Sequence, residues 1–147
     1  MYRLQTFVAT IGGQTRTSAG LNVQQQLGEH SPLTAFSRLG IGGSQVTLAG
    51  DRAQASFGLA MSAPLKHAGL APGLSNDLLG FGFVWSQPSA TLQTVYHGNE
   101  YALETFYALQ LTPTIKLQPD LQVIWHPAFS PNAGPATVFQ LQLNLAW

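Results

Sequence analysis

The sequence predicts an all-β chain: an antiparallel, up-and-down β-barrel crossing a lipid bilayer, with about eight strands present. Three observations predict it. Apolar and polar residues alternate with period two over long segments, most of nine to thirteen residues. A tilted strand needs roughly 9–11 residues to cross a bilayer, whereas globular strands have a mode of about 5–6. Charged residues make up only 8% of the 147, six basic and six acidic, against roughly 25% in an ordinary soluble domain. The polar side of the alternation is instead Gln, Ser, Thr, Asn and Gly, so something other than water is expected to solvate the apolar side.

Taken in order, residues 2–10 alternate weakly. Residues 20–28 set Leu21, Val23 and Leu27 against Asn22, Gln24 and Gln26, with Gln25 an exception. Residues 33–42 are again weaker, with Phe36 and Arg38 on one face. Between Arg52 and Ser62, Ala53, Ala55, Phe57, Leu59 and Met61 oppose Gln54, Ser56 and Gly58. From Asp77 to Gln87, Leu79, Phe81, Phe83 and Trp85 oppose Gly80, Gly82 and Ser86. Residues 100–112 set Tyr101, Leu103, Tyr107, Leu109 and Leu111 against Glu100, Glu104 and Gln110, with Phe106 out of place. Residues 115–125 put Leu117, Pro119, Leu121, Val123 and Trp125 opposite Lys116, Gln118, Asp120 and Gln122. The clearest segment ends the chain, where Thr137, Phe139, Leu141, Leu143, Leu145 and Trp147 alternate with Gln140, Gln142 and Asn144. A helix would mix these two sets on one stripe.

The links alternate in length, as an up-and-down barrel requires. Corners at 29–32 and 112–114 are tight, while 87–98 and 126–135 are long and rich in Pro, Asn, Gly and Ser; the 63–76 link is long where a short one is expected. No charge falls mid-strand on the apolar register, where Arg or Lys would cost about 2–4 kcal/mol at the bilayer midplane. A soluble β-sandwich also alternates, but its outer face usually carries Lys and Glu. Pro119, on the apolar register, is expected to mark a bulge or bend.

Chemistry is excluded more firmly than it is offered. No phosphate loop, nucleophile elbow or zinc-protease pattern occurs, zero net charge argues against nucleic acid, and there is no cysteine. Glu100 and Glu104 stand about 13 Å apart along one strand, beyond the roughly 5–9.5 Å of glycosidase carboxylates. His30, His67, His97 and His126 fall in links at opposite ends of the barrel, so no metal or other cofactor is expected. No helix-length apolar run or leader pattern is visible, so the chain is either a mature form or a fragment of a longer one.

The segment Glu104-Thr-Phe-Tyr-Ala-Leu-Gln-Leu-Thr-Pro-Thr-Ile-Lys-Leu-Gln-Pro-Asp-Leu-Gln-Val-Ile-Trp-His-Pro127 resembles the signature of the carbohydrate-selective, OprB-like porins. The matching residues are Glu104, Tyr107, Gln110, Thr112, Pro113, Gln118, Pro119, Asp120, Leu121, Gln122 and Pro127; Thr114 and His126 depart from the usual Trp and Asn. Gly69-Leu70-x-Pro72-Gly73 followed by Asp77-Leu-Leu-Gly80-Phe-Gly82 is similar to a second family segment, with Leu74 replacing an Arg, and Phe36-Ser-Arg38 to a third. The family's connection at Gly69–Pro72 is a longer periplasmic one, which would absorb the long 63–76 link. The resemblance is clearest over 20–147 and implies that residues 1–147 are the C-terminal part of one larger barrel of about sixteen strands around a water-filled pore.

It implies an outer-membrane protein, not an enzyme, that lets sugars diffuse passively. Candidate pore-lining residues are Arg38, Arg52, Glu100, Glu104, Lys116, Gln118, Asp120 and Gln122, since neutral sugars need donors and acceptors rather than a field of one sign. Lys116 and Asp120 pairing with neighbouring strands is the simpler alternative. Small residues at Gly58, Gly80 and Gly82 point to a wide lumen. Phe57, Leu59, Phe81, Phe83, Trp85, Leu121, Val123, Leu141, Leu143 and Leu145 are expected to face lipid, and Tyr101, Tyr107, Trp125 and Trp147 to form aromatic girdles. Phe139, Leu145 and Trp147 resemble the C-terminal signal read by the barrel-insertion machinery. Two other functions fit the alternation: a small eight-stranded structural or adhesive barrel, and a soluble glycan-binding sandwich.

Overall fold

The computed structural model describes residues 1–11, 14–42, 51–71, 73, 76–89 and 98–145. Eight strands succeed one another: β1 (Tyr2–Ile11), β2 (Gln14–Gln26), β3 (Leu33–Gly42), β4 (Asp51–Ser62), β5 (Leu78–Pro88), β6 (Glu100–Thr112), β7 (Ile115–Trp125) and β8 (Ala136–Leu145). They form one antiparallel sheet in chain order. Among the described residues the only helical pieces are α1 (Pro64–His67) and a 3-10 turn at Pro127–Phe129. Among the described residues no second sheet packs on the first, so the sandwich reading fails.

Seven strands lie where the alternation puts them, to within about two residues at each end. β2 starts six residues earlier than expected. Thr15, Thr17 and Ala19 continue the register of Leu21 and pair with Thr10, Val8 and Thr6 on β1. Threonine is a good strand former but carries no hydropathy contrast, so the alternation is invisible there. Pro119 makes no bulge. It pairs with Leu141, and the β6–β7 register is the same on both sides of it; the shifts fall at Asp51/Ala53 and Gln110/Thr112.

Register separates the two faces across all eight strands. One row runs Tyr2, Val23, Ser37, Phe57, Phe83, Leu103, Val123, Thr137; a second runs Arg3, Asn22, Arg38, Ser56, Val84, Ala102, Ile124, Ala136. Successive side chains point to opposite faces, so the first row belongs to the apolar face and the second to the polar one. The rows also give the slant of the strands. Tyr2 begins β1, yet its row meets β8 at Thr137, about eight residues from Leu145 at the same end of the sheet. That stagger is about 26 Å over seven strand steps totalling about 34 Å. The strands therefore lean by about 38°, inside the roughly 35–45° of transmembrane barrels.

A buried core is nearly absent. Ala63, Ala108 and Pro88 are the only buried apolar side chains among the described residues, and the accessible surface is 9474 Å², against about 7,300 Å² for a compact monomer of this mass. Phe57, Phe81 and Phe139 are 59%, 49% and 68% exposed. Cross-strand hydrogen bonds and side-chain pairs, rather than a packed interior, hold the fold. β1 and β8 each pair on one side only among the described residues.

Candidate functional site

The polar face collects nearly every charge of the strands. Arg38, Glu104, Lys116, Gln118, Asp120 and Gln122 lie on it by register, as does Glu100 opposite Ser86. Arg52 falls in the β4 irregularity but lines a 490 Å³ cavity on this face with Gln5, Gly20, Gly40 and Gln54. All eight candidate residues thus share one side. Phe57, Leu59, Phe81, Phe83, Trp85, Leu121, Val123, Leu141, Leu143 and Leu145 share the other, together with Phe139. Trp147 lies outside the described residues.

Hydrogen bonds divide the polar residues into two kinds. Arg38 Nε donates to Asn22 Oδ1 at 2.7 Å, and Asn22 Nδ2 reaches Gln5 Oε1 at 3.4 Å, a polar chain over β3, β2 and β1. Glu100 is an anchor: its Oε2 accepts the Ala128 backbone N–H at 2.8 Å and ties down the 3-10 turn of the 126–135 link. Lys116 lies opposite Gln110 and Asn144, and Asp120 opposite Phe106 and Gln140. Neither therefore has an opposite charge directly across the ladder. Glu104 lies opposite Gln122 and Asp120 opposite Phe106, so the two carboxylates stand diagonally across the β6–β7 ladder on one face. Asp120 is buried, and its Oδ1 has no partner in the described structure.

Two aromatics on the polar face were not foreseen as a pair. Phe36 sits opposite Gly58 and Phe106 opposite Gly80. A Cβ built on Gly58 would lie 2.4 Å from Phe36 Cζ, and one on Gly80 would lie 2.2 Å from the Phe106 ring. The glycines leave room for rings to lie over the sheet, the pairing called aromatic rescue. The gap read as open lumen above Gly58 and Gly80 is filled by phenyl groups. Phe106 is out of place in its own strand because its partner is a glycine in the next one.

At the sheet end bearing the long 89–99 and 126–135 links, Trp85, Tyr101 and Trp125 occupy one row of the apolar face. Tyr101 also meets the His126 ring edge-on at 6.1 Å. At the other end, Tyr107 donates its hydroxyl to Asp77 Oδ2. Asp77 is 2% exposed, so this bond satisfies one oxygen of a buried carboxylate. Residues 30 apart are joined here, and both belong to the segments that carried the family resemblance. Among the described residues no cluster of three or more His, Cys, Asp or Glu is placed to hold a metal.

A family model described as carbohydrate-selective porin, OprB family, matches residues 8–146. The chain belongs to the OprB porin family. It is 32% identical over 130 residues to the porin AaxA of Chlamydia caviae, covering 87% of this chain and 27% of that protein. It is likewise 32% identical over 133 residues to the porin AaxA of Chlamydia felis, covering 88% and 28%. The chain thus spans little more than a quarter of these relatives. The high-pH structure of Pseudomonas putida OprB matches with a TM-score of 0.75 at 17% identity, over 89% of this chain and 35% of that one. That likeness establishes the barrel-wall fold. Membership of this porin family implies a channel component rather than an enzyme.

Proposed function

We propose that residues 1–147 form part of the wall of one outer-membrane porin barrel, through which sugars diffuse down their gradients. The observation that carries this is the partition of a single slanted sheet. Exposed Phe, Leu and Trp cover one face, and the strand charges stand with Gln and Asn on the other. Only a bilayer outside and water inside satisfy both faces at once. Membership of a carbohydrate-selective family supports sugars as the solutes, and a polar face of mixed charge supports uncharged ones. The chain works by passive passage, with lipid as the outer partner and the barrel-insertion machinery as the assembly partner.

Heat-modifiable migration of the protein expressed from its own gene, together with swelling of sugar-loaded liposomes, tests this. A folded band that shifts on boiling, with swelling by monosaccharides, is expected. A detergent-free, soluble monomer refutes it.

A further inference from the structure

The two phenyl rings lie where a plain water channel has no use for them. Phe36 reaches from β3 over Gly58, its tip 3.8 Å from where a Gly82 Cβ would stand; Phe106 reaches from β6 over Gly80. They approach β5 from opposite sides, and with Val84 they make an apolar floor. Arg38 stands on one bank and Glu104 on the other, three strand steps and one row apart, about 16 Å between their Cα atoms. Phe36, Arg38, Ser56, Gly82, Glu104 and Phe106 line one cavity of 380 Å³, within the roughly 300–1,000 Å³ of small-molecule sites.

We propose that this trough is a solute subsite for a single pyranose ring bearing equatorial hydroxyls, which rests on the porin reading above. Such a ring has an apolar C–H face to cover Phe36 and Phe106, and its hydroxyls project from the rim. Each hydroxyl both donates and accepts. One edge therefore accepts from the Arg38 terminal nitrogens, whose plane the Nε bond to Asn22 holds, while the opposite edge donates to Glu104. Charge-assisted bonds of this kind are the stronger ones. Asp120 stands behind Glu104 with one oxygen unpartnered and keeps that bank rich in acceptors. An acyclic polyol has the same hydroxyls but no rigid C–H face, so the floor discriminates by shape.

The test uses the protein expressed from its own gene, purified and inserted in planar bilayers, with glucose and glucitol as blockers of the ion current. Glucose is expected to block and glucitol to block far less. In Phe106→Leu and Glu104→Gln the half-blocking glucose concentration is expected to rise about tenfold, the loss of one aromatic contact or charged hydrogen bond. Both variants should keep the wild type's heat-modifiable band, which reports that they fold. Phe106→Tyr keeps the ring and should keep the block. Equal block by the two solutes, or unchanged glucose block in both variants, overturns the subsite alone. Absence of any ion current from the wild-type protein overturns the channel reading, and the subsite with it.

Discussion

Alanine placed at three glycines of the polar face should separate three energies that look alike in sequence. At Gly40 a Cβ meets nothing within 4 Å. Alanine there restricts the unfolded chain without a clash and should stabilise by about 0.5–1 kcal/mol. At Gly80 the three atoms nearest the new methyl all belong to the Phe106 ring, the first at 2.2 Å. A side chain can swing away, so Gly80→Ala should cost about 1–3 kcal/mol, the usual range for overpacking. At Gly58 the methyl also meets the Phe81 carbonyl oxygen at 2.3 Å, a backbone atom of the adjacent strand. It cannot move without disturbing the β4–β5 ladder, so Gly58→Ala should cost the most of the three. Urea unfolding in lipid vesicles, followed by tryptophan fluorescence, gives the order Gly40→Ala, wild type, Gly80→Ala, Gly58→Ala. A double-mutant cycle sharpens it: Phe106→Ala should relieve Gly80→Ala, whereas Phe36→Ala should leave most of the Gly58→Ala penalty in place. Gly58→Ala as stable as Gly40→Ala, or fully rescued by Phe36→Ala, would refute the assignment of rings to glycines.

Phe81→Arg should lower the stability of folding into vesicles by about 2–4 kcal/mol if that position lies near the bilayer midplane, while Gln122→Arg on the opposite face should change it little; equal effects would mean the faces are assigned wrongly. Tyr107→Phe leaves buried Asp77 without its side-chain donor and should cost about 1–3 kcal/mol, whereas adding Asp77→Ala should recover part of that loss in the same unfolding measurement. Glu100→Ala frees the Ala128 N–H and should make the 126–135 link more quickly cut by protease, with the barrel's heat-modifiable band retained.

Strand positions and their two faces were legible because period two is a local property, written within each segment by residues such as Phe139, Leu141 and Leu143. What escaped depends on register, which no single segment contains. Phe36 and Phe106 make sense only beside Gly58 and Gly80, residues 22 and 26 positions away in the chain. The Asp77–Tyr107 bond likewise joins two strand ends that meet only after β5 and β6 have paired. Gln25 broke the pattern yet sits on the apolar face; its Oε1 accepts the Tyr2 hydroxyl at 3.1 Å and its Nε2 donates to the Gln26 carbonyl at 3.2 Å. An amide so occupied can stand on an apolar side at a strand end.

The direction in which the two boundary strands run limits what can complete the perimeter. β1 ascends where β8 descends, so a neighbour on either flank must run opposite to the strand it meets. Only an even complement of additional strands can bridge from β8 round to β1 with every pairing antiparallel; an odd one would force two ribbons to run side by side in the same sense. At a lean of about 38° the eight present occupy about 49 Å of circumference, and each further hairpin would widen the enclosed bore by a fixed increment.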